Sequence, residues 1–339
     1  MCLQAMILLV TIHCAFAQSS NSSRLIVEDG WIEKMNNKIA LDISLNNAYE
    51  IFSVKTTDDR FILSPNAAAN LRLKVNYRFI SFGLQFAPGF IPGNKDDDLK
   101  GETKSFGLGT SVILRHWILD LSYSNVKGYY LVNSEDYIPM SGSDPFIQFP
   151  DLTYKGFALT TGYSSNSKFS FRSLSSQTER QLKSAGSFIP VVDLRYFIID
   201  NKSSGATTQK TNNFESSIGP GYIYTFVAKK SMYVSLGLLS SVGYLNTKLT
   251  TRYPDGDVVT HQDNFIFRWE GKAGVGYNGK KFYSGLYATL SGTQYKQEHT
   301  TAVNTETRAF YHIFFGIRLN SPKFVKKQVD KVEELIPKN

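Results

Sequence analysis

The chain has 339 residues, of which 42% are hydrophobic, 14% aromatic and 19% charged, with a formal net charge of +8. A soluble domain averages about a quarter charged residues, so this one is light on charge and correspondingly rich in Tyr and Phe. Gly and Pro sit near background, which excludes collagen-like and low-complexity chains, and there is enough apolar surface to offset ordering entropy, which argues against disorder.

Residues 1–17 predict a secretory signal: Met6 to Val10 lie in a short apolar stretch that closes on Ala15-Phe16-Ala17. The segment is atypical in having no Lys or Arg before its apolar core. Acylation at Cys14 is the rival, disfavoured because His13 is not the small residue such a site wants. Cys2 and Cys14 are the only cysteines, so the mature chain is expected to hold no disulfide. Residues 18–37 are expected to be a periplasmic lead-in. No later stretch approaches the ~20 apolar residues of a membrane helix, which leaves a soluble chain or one that crosses a membrane as strands.

From Lys38 the pattern is period-two alternation broken by polar turns, which sorts each run into two faces. In 71–79, Leu71, Leu73, Val75, Tyr77 and Phe79 oppose Arg72, Lys74, Asn76 and Arg78. In 265–277, Phe265, Phe267, Trp269, Val275 and Tyr277 oppose Arg268, Glu270 and Lys272. In 311–319, Tyr311, Ile313, Phe315, Ile317 and Leu319 oppose His312, Phe314 and Arg318. Charge falls on one side only, and in 265–277 aromatics, Phe265 and Tyr277, close both ends of the apolar side. Lipid imposes that sorting, since a charge at mid-depth on the lipid face costs roughly 2–4 kcal/mol.

Candidate strands lie near 38–54, 69–87, 102–115, 116–131, 150–164, 167–174, 187–200, 213–228, 231–247, 262–278, 280–296 and 305–319. The expected fold is therefore all-β, a transmembrane antiparallel barrel of about 12 strands (range 10–14) over 38–319. In the second half, short turns and long loops fall on opposite ends as such barrels require. In the first half they do not, so either 69–87 is two strands or 167–174 does not span.

Motifs that look chemical have plainer explanations. Gly274-Val275-Gly276-Tyr277-Asn278-Gly279-Lys280 satisfies G-x-G-x-x-G, but no helix follows, and Asn-Gly between alternating runs signals a hairpin. Asp96-Asp97-Asp98 lacks EF-hand spacing and is expected to be a solvated loop. The histidines His116, His261, His299 and His312 are not spaced for a metal, so neither metal nor cofactor is expected. His312, on the polar face of the last strand, could approach Ser44 and Asp42 of the first. A hydrolytic triad is the minority alternative there, and a satisfied lumen histidine the expectation.

The basic residues are scattered rather than blocked, which argues against nucleic acid as a partner despite the positive charge. Arg72, Lys74, Arg78, Arg195, Arg268, Lys272, Arg308 and Arg318 fall on predicted lumen faces, with Asp42, Asp193, Glu215 and Glu270 available to pair with them. An internal charge network is expected, ahead of an anion-selective pore. Residues 320–339 leave the strand pattern. Val325, Val329, Val332 and Ile336 recur at helical spacing, giving a short periplasmic helix at the barrel mouth or a frayed tail. A barrel-assembly signal would then sit inside the chain, in 314–319.

Several segments taken in order resemble a family of Bacteroidota outer-membrane barrels known as domain of unknown function 4421. They are Ser64-Pro65-Asn66, Trp117 to Leu121 with Lys127 to Leu131, Asn166 to Arg172, Gln177 to Phe188, and Gly219 to Phe226. The resemblance implies a barrel in the outer membrane of a Gram-negative cell, in contact with outer-membrane lipid and the barrel-assembly machinery. It implies no activity and no functional residue. The expected function is a non-catalytic barrel, either a narrow pore or transport-related channel or a structural and binding barrel. A lipid acyl-ester hydrolase using the lumen histidine and a soluble secreted β protein are the alternatives.

Overall fold

The computed structural model describes residues 30–335 apart from 48–49, 56–59, 143, 203–206 and 297–302. The expected signal at 1–17 and residue Ile336 of the tail lie outside the described residues. The strands in chain order are β1 (Ile32–Lys34), β2 (Lys38–Asn46), β3 (Phe52–Lys55), β4 (Arg60–Ser64), β5 (Asn70–Tyr77), β6 (Ile80–Phe86), β7 (Lys104–Leu114) and β8 (Trp117–Leu131). They continue with β9 (Gln148–Tyr163), β10 (Glu179–Gln181), β11 (Ala185–Asn201), β12 (Thr208–Ala228), β13 (Met232–Tyr253), β14 (Gly256–Asn278), β15 (Phe282–Lys296) and β16 (Val303–Asn320).

Twelve of these form a closed antiparallel ring. Each strand from β5 to β9 and from β11 to β16 pairs with its sequence neighbour in the ring, β9 pairs with β11, and β16 pairs with β2, which pairs with β5. Closure leaves no open edge in lipid. The β3–β4 hairpin hangs from β8, and β1 pairs with β10 as a separate ribbon.

The strand count matches the sequence expectation, but its composition differs in three places. The run 69–87 is two strands, because Arg78 takes a left-handed φ of 51° and turns the chain between β5 and β6. The run 38–54 leaves the wall after Asn46. Residues 167–174 are not a strand; they belong to an insertion that contains a short helix, Arg172–Ser175. Their alternation of Phe169 and Phe171 with Ser170 and Arg172 imitates a strand, but both faces serve the interior.

These corrections remove the sidedness conflict. The short connections 78–79, 115–116, 229–231 and 279–281 now share one end of the barrel with Lys38 and Asn320, here called the turn end. The connections 47–69, 87–103 and 132–147 lie at the other, the loop end. One long connection, 164–184, breaks the rule at the turn end.

The wall is two-faced. Leu73, Val75, Phe82, Trp117, Phe157, Leu238, Phe265 and Phe315 point outward and are exposed, while Asn70, Asn76, Ser81, Glu215, Ser235 and Arg318 on the opposite face are buried. An apolar exterior around a polar interior reverses the soluble pattern and suits hydrocarbon as the solvent. About 9–11 residues cross such a layer, so the 21, 22 and 23 residues of β12, β13 and β14 carry their hairpins well beyond it.

On the inner face near the turn end, glycines make room for rings from the next strand. A methyl at Gly316 would overlap Tyr283, one at Gly274 would overlap Tyr287, and one at Gly285 would come within 2.7 Å of Phe314. Tyr233, Tyr283, Tyr287, Phe314 and Ala40 thereby form a buried core inside the barrel, sealed from within by Leu174 of the insertion.

Candidate functional site: a lumen filled from both ends

The 164–184 insertion folds back into the barrel. Asn166 pins its start, donating from Nδ2 to the Gly186 carbonyl at 2.7 Å and accepting from the Lys168 amide at 3.0 Å. Phe169 packs with Ile113, Ile118, Ala185 and Ile189 on one wall, while Leu174 meets the tyrosine core on the other. After the short helix, Gln177 adopts φ 56° and the chain reverses into β10, which pairs with β1. Every residue from Ser176 to Gln181 is buried.

Such polar density inside a protein persists where most groups find partners, and the wall, β1 and the insertion itself supply them, the Gln177 side-chain oxygen excepted. Lys74 Nζ donates to the Ser175 carbonyl at 2.6 Å. Arg318 donates to the Gln177 carbonyl through Nε at 2.9 Å and NH2 at 2.7 Å, to Asn278 Oδ1 at 2.5 Å, and to the Gly279 carbonyl. Arg180 donates to the Asn278 and Lys230 carbonyls at 2.8 and 3.0 Å and pairs with Glu33 of β1. The Thr178 hydroxyl donates to the Arg78 carbonyl at 2.7 Å. Glu179 accepts from Ser170 Oγ at 2.6 Å and pairs with Arg172 at 3.2 Å. Two planar guanidinium forks thus clamp the insertion to the wall, a task for which Arg is better shaped than Lys.

The loop end is crossed by an ionic bar. The segment after β2 dips inward so that Glu50 pairs with Arg195 of β11 at 2.9 Å and Arg308 of β16 at 3.5 Å. Four strands separate β11 from β16 one way around the ring and six the other, so the two arginines stand on nearly opposite walls. Arg195 also pairs with Glu215 at 3.3 Å, and Glu215 with Arg268 at 2.8 Å. Phe52, next along the same segment, packs on Tyr129 and Tyr154 with ring centroids 5.3 and 5.9 Å apart. Burial alone would raise the Glu50 carboxyl, but the Arg195 and Arg308 guanidiniums outweigh it and hold the group below its ordinary value.

Of the residues singled out from sequence, Arg195, Glu215, Arg268 and Arg308 come together in this bar. Lys272 pairs with its neighbour Glu270 at 3.0 Å, and Asp193 accepts from Thr160 at 2.5 Å. Arg72 lies over Gly83, where a side chain would come within 2.9 Å of its guanidinium. Lys74 and Arg318 hold the insertion. Arg78 departs from expectation: it sits in the β5–β6 turn rather than along the lumen wall, and pairs with Asp330 and Glu333 of the C-terminal helix, both at 2.7 Å.

His312, Ser44 and Asp42 share one stretch of lumen wall without forming a relay. In register, His312 faces Asn46, Ser44 faces Phe314, and Asp42 faces Gly316. The His312 ring stacks on Phe314 and Tyr287 at 5.4 and 6.4 Å, while Asp42 accepts from Asn76 at 2.9 Å and Tyr283 at 3.2 Å. Elsewhere, His116 Nδ1 lies 2.6 Å from the Ser164 carbonyl, and Asp96 pairs with Lys100 at 2.8 Å. Among the described residues no group of three His, Cys, Asp or Glu is arranged to hold a metal ion.

Sequence reasoning missed Glu50, Glu33, Glu179, Arg180 and Asn278. Glu50 lies within the candidate strand 38–54, whose pattern does not show that the wall ends at Asn46. Glu33, Glu179 and Arg180 sit where no period-two face exists to sort them, and Asn278 closes the inner face of β14 at the Asn-Gly expected as a hairpin turn.

Ring closure, an apolar exterior and a polar, filled interior define a barrel of the outer-membrane type. The model of the family described as Domain of unknown function (DUF4421) matches residues 27–318, and the chain belongs to that family. No curated protein sequence matches it. Among solved structures it is similar to the outer membrane protease OmpT from Escherichia coli, at 7% identity over 84% of this chain and 96% of that one, with a TM-score of 0.35. It is also similar to OmpT of Vibrio cholerae, at 11% identity over 89% and 100% with a TM-score of 0.28. The ferric yersiniabactin uptake receptor FyuA from Yersinia pestis is 9% identical over 82% of this chain and 43% of that one, with a TM-score of 0.30.

Proposed function

We propose that this protein is an outer-membrane barrel whose lumen is shut at rest, so that it works as a structural and binding barrel and passes solute only if the 164–184 insertion leaves its seat. The observation that carries this proposal is the filling of the lumen from both ends. A plug clamped by Arg318 and Arg180 closes the turn end, and an ionic bar through Glu50 crosses the loop end. An open porin leaves a water-filled channel among its 16–18 strands; twelve strands give a narrower bore that side chains can occupy. In this proposal the turn end faces the periplasm, and catalysis plays no part, because the Asp42 carboxylate is taken up by Asn76 and Tyr283 rather than by His312.

Planar-bilayer recording on the refolded protein tests this. The expected result is no steady current from the intact chain and stepwise current once residues 166–182 are deleted. A steady porin-like current from the intact chain would overturn the closed-lumen proposal.

A further inference from the structure

The turn end carries a group of exposed basic side chains, one of which, Lys280, also stands 3.8 Å from Glu33 of β1. Its hairpin turns present Arg115, Lys229, Lys230, Lys280 and Lys281, all exposed. Three of these take left-handed backbone conformations, with φ of 54° at Arg115, 50° at Lys229 and 58° at Lys230. Gly or Asn would occupy such positions without strain, so charge is held there against local preference. The turns adjoin outward-facing aromatics: Trp117 follows Arg115 by two residues, and Lys281 Nζ lies 5.3 Å from the Phe282 ring centroid.

The C-terminal helix, Lys323–Glu334, begins four residues after Leu319, an exposed residue on the outer wall. It therefore leaves the barrel at the level where the apolar band ends. Its faces divide into three. Asp330 and Glu333 turn to the barrel and pair with Arg78, with Val325 and Val329 half-buried on the same side. Lys323, Lys327 and Lys331 form an exposed stripe at i, i+4 spacing. Beside that stripe, Phe324, Val332 and Leu335 share a face and are 71%, 43% and 80% exposed. A lysine stripe flanking exposed apolar side chains is the composition of a helix that lies in a lipid interface.

We propose that the turn end, with this helix laid across it, binds the anionic phospholipid headgroups of the leaflet at that end. The lysines and Arg115 take the phosphates, and Phe324, Val332 and Leu335 enter the boundary between headgroups and acyl chains. The proposal rests on the membrane-spanning barrel proposed above. Charge complementarity favours a lipid surface over an acidic soluble partner because the apolar side chains need hydrocarbon, which a hydrophilic polyanion lacks.

The full chain is refolded into phosphatidylcholine vesicles containing phosphatidylglycerol, extracted gently, and its retained lipids counted by native mass spectrometry. Retained phosphatidylglycerol is expected to exceed its bulk share about threefold at low salt and to fall towards bulk at high salt. The triple variant Lys323→Glu, Lys327→Glu, Lys331→Glu is expected to lose most of the enrichment. Phe324→Ser with Leu335→Ser is expected to lower total retained lipid while keeping the phosphatidylglycerol preference. These positions lie outside the barrel, and heat-shifted mobility on unboiled gels verifies that each variant has folded. Bulk composition around the intact protein, or equal enrichment in the triple variant, overturns the proposal. So does bulk lipid composition together with retention of soluble polyglutamate, which would assign the surface to an acidic partner. A chain that stays soluble without any amphiphile would instead defeat the membrane barrel itself, a distinguishable failure.

Discussion

Arg318→Met removes the central clamp of the plug while leaving the barrel ladders intact, because β16 pairs with β15 and β2 through its backbone. Arg318 is only 2% exposed and its ring-stacked guanidinium sits 4.7 Å from the Tyr283 centroid, so Met retains much of the apolar packing. What is lost is the pair of bonds to the Gln177 carbonyl and those to Asn278 and Gly279. A hydrogen bond from a charged donor contributes about 1.5–3 kcal/mol, and such bonds in one cluster do not add. Only the Gln177 bonds tie the wall to the plug, since Asn278 and Gly279 belong to the β14–β15 hairpin. The plug's share is thus about 3 kcal/mol, or roughly a hundredfold rise in its unseated fraction. Hydrogen exchange of 166–184 read by mass spectrometry should show that acceleration, with strands β12–β14 unchanged, and bilayer recordings should show brief openings. Lys74→Met cuts a single bond, to Ser175, and should accelerate exchange less. If Arg318→Met leaves exchange in 166–184 within about threefold of the parent while the barrel remains folded, the clamp assigned to Arg318 is wrong.

Three further outcomes follow from the same geometry. Leu238→Arg places a charge on the outer face of β13, where Leu238 is 63% exposed, and should cost roughly 2–4 kcal/mol in refolding titrations into lipid vesicles; a change near zero would mean that face does not meet hydrocarbon. Gly316→Ala forces a methyl against the Tyr283 ring and should cost at least ~1–3 kcal/mol by overpacking, whereas Gly271→Ala, whose nearest neighbour stands 4.0 Å away, should be tolerated; urea titration of the gel-shifted form compares them. Because the folded Glu50 carboxyl is held below its unfolded value, its contribution is full above the ordinary glutamate pKa of about 4.3 and is lost as pH falls through the lower folded value. Protection of the segment around Phe52 against exchange should therefore hold constant from about pH 8 to pH 5 and fail only in stronger acid; failure near neutrality would refute the ionic bar.

The parts of this structure that could be read from sequence are those on which the two solvents disagree. Where β5, β14 and β16 cross the apolar layer, outward positions must suit lipid and inward ones may be polar, so alternation alone sorts Leu73 from Lys74 and Phe315 from Arg318. Where both sides of a segment face protein, that contrast vanishes. Residues 169–174 are buried or half-buried on both faces, so their alternation of Phe with Ser and Arg carried no information about a wall. The split of 69–87 is one way to mend the loop lengths of the first half, but the turn itself rests on Arg78 in a left-handed conformation that its residue type does not announce. The Arg195–Glu215 pair could be anticipated from matched lumen faces. Glu50 could not, because a loop residue reaches the lumen only through the path of its backbone.

The placement of the guanidiniums also bears on why a barrel of this width needs a plug. A ring with Arg195, Arg268, Arg308 and Arg318 on its inner wall would either hold water and counterions or require internal acceptors. Glu50 and Glu215 supply acceptors near the loop end. Near the turn end no acid among the described residues pairs with Arg318, and main-chain carbonyls of Gln177 and Gly279 with the Asn278 amide oxygen take that place. The plug thereby completes the partners of Arg318, adding the Gln177 carbonyl to the acceptors that the β14–β15 hairpin supplies. Displacing it exposes a buried cation and its acceptors together, which favours a two-state seat over gradual loosening and makes brief, discrete openings the expected signature when one clamp is weakened.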